Sequence, residues 1–211
     1  MTICAPTPAI DNVQSVETVL LLHGLGRTSL SMAGMRGHVA RQGYRVICWG
    51  YRSMKEPIET HGSRLQATLA EMDNDPQVSK IHFVTHSLGG IVVRHALSEG
   101  SPKKMGRVVM LAPPNRGSRA ARRLLPIFGK VMRPLSQLTD NPDSMVNQLP
   151  VLSGVDVGII AARFDDKARV EETHLVGETD HLVVPGFHTF IMNRQDVQDQ
   201  VSAFLRDGKF R

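Results

Sequence analysis

Cysteine is nearly absent from this chain, with two in 211 residues. Neither Cys4 nor Cys48 has metal-ligand spacing, two cysteines argue against a disulfide framework, and such usage favours the cytoplasm. Cys48 lies in an apolar run and is expected to be a buried thiol. Cys4 belongs to a stretch that Pro6, Pro8, Asp11 and Asn12 mark as an irregular lead-in. From Met1 to Val16 no basic segment precedes an apolar one, so no secretory signal is expected. No run approaches the roughly 18 apolar residues of a membrane-spanning helix. Aromatics are also scarce, at 5%, and are not interleaved with basic residues, which argues against nucleic acid as a partner. What is present, 41% hydrophobic and 21% charged residues, suits a single domain over residues 1–211 with a substantial core. The net charge of +5 reads as a solvated basic surface, or else as a preference for anionic substrates or membranes.

Apolar runs rich in β-branched residues alternate with helical patterns, which predicts an α/β fold: a mostly parallel central sheet covered by helices on both faces. The strands are expected at Thr18 to Leu22, Tyr44 to Trp49, Lys80 to Val84, Arg107 to Leu111, Val155 to Ala162 and Leu182 to Val184. Helices are expected across Ser29 to Gln42, from Ile58 to Met72, over Gly89 to Ser98 and at Asp196 to Arg206. Residues 113–150 interrupt the alternation. Their prolines, from Pro113 to Pro150, rule out one long helix, and Arg116 to Leu138 reads as two short ones. An insertion after a strand that ends at the active edge could form a helical lid or be a packed surface excursion.

The chemistry starts at Thr85-His86-Ser87-Leu88-Gly89-Gly90, directly after Ile81-His82-Phe83-Val84. A strand that ends in serine and turns at once into a small-residue helix start has the form of a nucleophile elbow. Gly89 and Gly90 supply the close helix–strand approach; Thr85 stands where the G-x-S-x-G pattern has glycine, so the strand must have room for it. A serine hydroxyl also needs a base, a group to orient that base, and donors for the oxyanion. His23-Gly24-Leu25-Gly26-Arg27, after an early strand, offers a backbone N–H, so Leu25 and Leu88 are the expected oxyanion donors.

Of nine histidines, only His95, His174, His181 and His188 follow the serine, as the order nucleophile–acid–base requires. His95, on the elbow helix, would point away. His188 follows the last strand through Pro185-Gly186-Phe187 and is the preferred base, with His181 and His174 as the others. The acid should follow the penultimate strand. Asp165 and Asp166 both do, and spacing does not choose between them; Asp180 reads as a turn residue. His23, His86, Pro114, Leu124 and Phe128 are candidates for the substrate pocket or lid, His23 being structural rather than a base.

With these segments, and with Leu111-Ala112-Pro113-Pro114-Asn115-Arg116-Gly117-Ser118 and the tail from Asp165 onward, the chain resembles the α/β-hydrolase superfamily, in particular its small bacterial lipase- and esterase-like members. The resemblance places the acid on Asp165, with Asp166 where the family often has glycine. It implies hydrolysis of carboxylic esters through an acyl-enzyme on Ser87, with small-molecule or lipid esters as substrates and no metal or organic cofactor. An acyltransferase or thioesterase would use the same residues, and a non-catalytic hydrolase-fold binding module is the remaining class.

Overall fold

A computed structural model describes residues 15–211; the lead-in with Cys4, Pro6, Pro8, Asp11 and Asn12 lies outside the described residues. Six strands form one sheet: β1 (Val16–Leu22), β2 (Arg45–Trp49), β3 (Val78–His86), β4 (Met105–Leu111), β5 (Val157–Ala162) and β6 (Asp180–Val184). Their order is β2-β1-β3-β4-β5-β6. Every pairing is parallel, where the sequence predicts a mostly parallel sheet.

Side-chain alternation divides the strands between two cores. Leu20, Leu22, Phe83, Val108, Met110 and Ile159 face α2 (Ile58–Asn74) and α3 (Leu88–Glu99). Val19, Leu21, Val84, Val109, Leu111 and Ile160 face α1 (Ala33–Arg41) and α7 (Gln195–Asp207). On α7, Val197, Val201, Phe204 and Leu205 are all buried, and Gly208 closes it in the left-handed conformation, φ +74°. The central strands are buried on both faces, hence their unbroken apolar runs. β2 is an edge strand, so Cys48 is half-buried rather than enclosed, and partial desolvation raises its thiol pKa.

The expected helix from Ser29 begins with a 3-10 turn, Ser29–Met32, and only then becomes α1. In the 113–150 region the first helix is α4 (Arg119–Phe128), capped by Ser118 Oγ accepting the Ala121 N–H. The second is a 3-10 segment, Arg133–Leu138, with Pro134 near its start. A one-turn α5 (Met145–Gln148) follows. Backbone bonds tie this region down: Ser118 N–H to Leu138 O at 2.8 Å and Arg133 N–H to Met54 O at 2.8 Å. At Gly117 φ is +77°, and a Cβ there would lie 2.2 Å from Thr139 O, so only glycine fits. The one-turn α6 (Val170–Thr173) lies between β5 and β6, and Glu172 O accepts the Arg116 N–H at 2.9 Å.

Candidate active site

The segments singled out in the sequence meet beyond the carboxyl ends of the parallel strands, where open α/β sheets leave a crevice. Ser87 sits between β3 and α3 with φ +52° and ψ −120°, a sparsely populated conformation for a residue with a side chain. Such a backbone persists only where its surroundings impose it. Gly89 is one cause: a Cβ there would lie 2.8 Å from Leu22 O and 2.9 Å from His23 O, so the helix start is pressed against the end of β1. Gly90 is another, because it leaves room for the fully buried Thr85, whose Oγ1 would lie 3.2 Å from an added Cβ. The Ser87 hydroxyl does not cap α3, so it is free for another partner.

That partner is His188, whose Nε2 lies 2.9 Å from Ser87 Oγ. Its Nδ1 lies 2.7 Å from Asp165 Oδ2. A carboxylate only accepts, so Nδ1 carries the proton and Nε2 is left to accept from the serine. The other oxygen of Asp165 accepts the N–H groups of Lys167 and Ala168, each at 2.8 Å. The carboxylate is thereby fixed in direction, and its side chain is fully buried. Asp166 is exposed. Asp180 is taken up elsewhere: Oδ2 accepts the Phe210 N–H at 2.8 Å and ties down the C-terminal tail.

His86 was not expected to position anything, yet its Nε2–H donates to the backbone oxygen of His188 at 2.9 Å. The two rings lie 4.9 Å apart. Burial, with repulsion from His188, holds the His86 pKa well below the ordinary imidazole value, so the ring stays neutral. No sequence signal marks this contact, since it reaches a main-chain atom 102 residues away.

Of the other candidates, Leu25, His86, Pro114 and Leu124 line a cleft of about 220 Å³ around Ser87 and His188. Ala121, Met132, Leu135 and Leu138 supply more of its apolar wall, while Arg27 and Lys167 stand at polar positions. Outside helices and strands, neither the Leu25 nor the Leu88 amide has a hydrogen-bond partner among the described residues. Leu88 opens α3, whose dipole favours negative charge at that point.

His23 and Phe128 do not line the cleft. The His23 ring turns inward and stacks on Tyr51 at 4.3 Å. Its Nδ1–H donates to Gly24 O, its Nε2 accepts the Tyr51 N–H, and the Tyr51 hydroxyl donates to His23 O at 2.6 Å. His23 therefore buttresses the glycine turn. Phe128, at the end of α4, is 42% exposed and points to solvent. Three of the four histidines that follow the serine lie elsewhere: His95 faces Gly62 and Glu99, and His174 and His181 stack on each other at 3.9 Å.

Residues 19–203 match the Alpha/beta hydrolase family. Among solved structures, Bacillus licheniformis lipase BlEst2 in mature form superposes with a TM-score of 0.71 at 17% identity, covering 90% of this chain and 91% of its own. A thermophilic esterase from Thermogutta terrifontis gives 0.65 at 15% identity, covering 92% and 91%. A monoacylglycerol lipase from Paleococcus ferrophilus gives 0.58 at 17%, covering 83% and 88%. At such identities the likeness is one of fold. None of the curated proteins matches the chain in a sequence search.

Proposed function

The chain belongs to the alpha/beta hydrolase family, and from that membership we propose that it is a carboxylic-ester hydrolase with Ser87, Asp165 and His188 as its catalytic triad. The observation that carries the reading is the continuous chain Asp165 Oδ2–His188 Nδ1–His188 Nε2–Ser87 Oγ, with links of 2.7 and 2.9 Å. His188 Nε2 takes the hydroxyl proton as Ser87 Oγ bonds to the ester carbonyl carbon. Asp165 holds the tautomer and stabilises the imidazolium. The Leu25 and Leu88 amides receive the oxyanion. His188 then protonates the departing alcohol, and a water, activated by the same imidazole, releases the acid.

The apolar wall of the cleft and its volume of about 220 Å³ support short or medium acyl groups. We read residues 1–211 as one domain with 113–150 as a lid, because α4 and the 3-10 segment contribute side chains to the cleft wall. The outer face of α4 supports peripheral contact with anionic lipid. Ile127 and Phe128 are exposed there, and Val131 is exposed just beyond the helix. Nearby, Arg123 and Lys130 are exposed and have no carboxylate partner among the described residues. No described helix is long and apolar enough to cross a membrane.

The test is a panel of p-nitrophenyl esters of graded acyl length, run beside Ser87→Ala. Activity should peak at short or medium chains and fall by about 10⁴-fold or more in the variant. A fluorophosphonate probe should label the folded protein at Ser87 alone. Retained hydrolysis in Ser87→Ala would sink the assignment, and preferential transfer to added alcohol would turn it toward an acyltransferase.

A further inference from the structure

Between the acid loop and the last strand, three side chains converge that the triad does not use. His174, Glu178 and His181 each offer a donor atom, and these atoms all lie within 4.8 Å of one another. His174 closes α6, Glu178 lies in the following turn, and His181 is the second residue of β6. The imidazole rings stack at 3.9 Å with 18° between their planes. His174 Nδ1–H donates to Glu178 Oε1 at 2.7 Å, and Glu178 Oε2 accepts the Leu175 N–H at 2.7 Å. The carboxylate is thus oriented before any ion arrives.

The protonation of His181 follows from its neighbour. Thr173 Oγ1 has a single proton and gives it to Val170 O at 2.7 Å. The contact at 3.0 Å between Thr173 Oγ1 and His181 Nε2 is therefore donated by the imidazole. A neutral ring with Nε2–H so engaged carries its lone pair on Nδ1. An imidazole whose second nitrogen donates to a fixed oxygen is the arrangement that supports a metal-ligating histidine.

We propose that His174, Glu178 and His181 form a zinc site, with a fourth coordination position left to solvent. Two imidazoles and one carboxylate suit this borderline ion; magnesium and calcium prefer oxygen ligands throughout. Entry is open, since the His174 side chain is 37% exposed and that of Glu178 is 18% exposed. The ion takes the place of the proton between His174 Nδ1 and Glu178 Oε1, and the imidazole then carries its proton on Nε2. Once bound, it clamps residues 174–178 onto β6, fixing the segment that runs from Asp165 to His188. The site stands apart from Ser87, so its test does not depend on the hydrolase reading.

Isothermal titration of zinc chloride into the full chain, stripped with EDTA and held near neutral pH, should show a single saturable site. At free zinc about 100-fold above Kd, the Tm should rise by about 5–10 °C. His181→Ala and Glu178→Gln should each weaken Kd by about tenfold or more. His188→Ala, which removes an imidazole paired with a carboxylate elsewhere in the chain, should leave Kd unchanged. Glu178→Gln keeps the shape of the side chain and decides the matter if His181→Ala does not fold. Absence of binding, a Kd unaltered by Glu178→Gln, or loss of binding in His188→Ala would overturn the proposal.

Discussion

Asp165 and Asp166 are neighbours with opposite surroundings. The first is buried and accepts from His188, Lys167 and Ala168; the second faces water. Under the proposed mechanism, Asp165→Asn should lower kcat by about 10⁴-fold with little change in KM, because the amide favours the wrong tautomer of His188. Asp166→Asn should stay near the parent value, and steady-state kinetics on one p-nitrophenyl ester would compare the two. Gly117 offers a separate test, through stability alone. With φ at +77° and Thr139 O 2.2 Å from the position of a Cβ, Gly117→Ala should lose about 2 kcal/mol or more in urea unfolding. Placement is legible in the sequence wherever it follows chain order: the elbow glycines, the serine, and the carboxylate and imidazole after successive strands meet in one cleft. Direction is less so. His23 and Phe128 are candidates for the pocket or lid, yet neither lines the cleft: the ring of one stacks on Tyr51 and the other faces water from the end of α4. Nothing local to a residue at an element's end decides which way it turns.

Among the elements, the strands lie closest to their sequence signals, because central parallel strands are buried on both faces and write themselves as apolar runs. Their ends depart further from those signals. β6 begins at Asp180 and His181, polar residues whose side chains have partners outside the sheet. β3 extends past the apolar run to His86, and β5 starts at Val157 rather than Val155. Outside the strands, α4 faces two ways. Its inner residues Ala121 and Leu124 meet the cleft while Ile127, 72% exposed, meets solvent. If that face docks on lipid, the wild type should co-sediment with anionic vesicles, and added salt should weaken the association. The double variant Ile127→Asp, Phe128→Asp should stay in the supernatant. Equal binding to neutral vesicles would remove the electrostatic part of the reading.

For the whole molecule, acid is the informative perturbation. Burial lowers the pKa of His23, His61, His82, His86 and His181. Glu56 beside His61 and Glu17 beside His82 oppose this without reversing it. A folded state that keeps these rings neutral binds fewer protons than the unfolded chain, so stability must fall with pH. The stabilisation is complete above the ordinary imidazole value of 6.5 and is lost as the pH drops through the lowered folded values. The urea midpoint should therefore be markedly lower at about pH 5 than at about pH 8. His86→Phe should flatten part of that slope and also lower kcat, since the contact to His188 O goes with it.

The sheet order has a further consequence. Ser87 belongs to the part of the chain that builds β1 to β4, whereas Asp165 and His188 both follow strands of the β5–β6 pair. The join between these parts passes through Gly154, an exposed glycine at φ +74° with open space around it. Under the proposed mechanism, a chain severed there should give two silent halves, one with the nucleophile and the other with the machinery that activates it. Each half is a candidate tag for a fused partner, and turnover would report that the two partners had met.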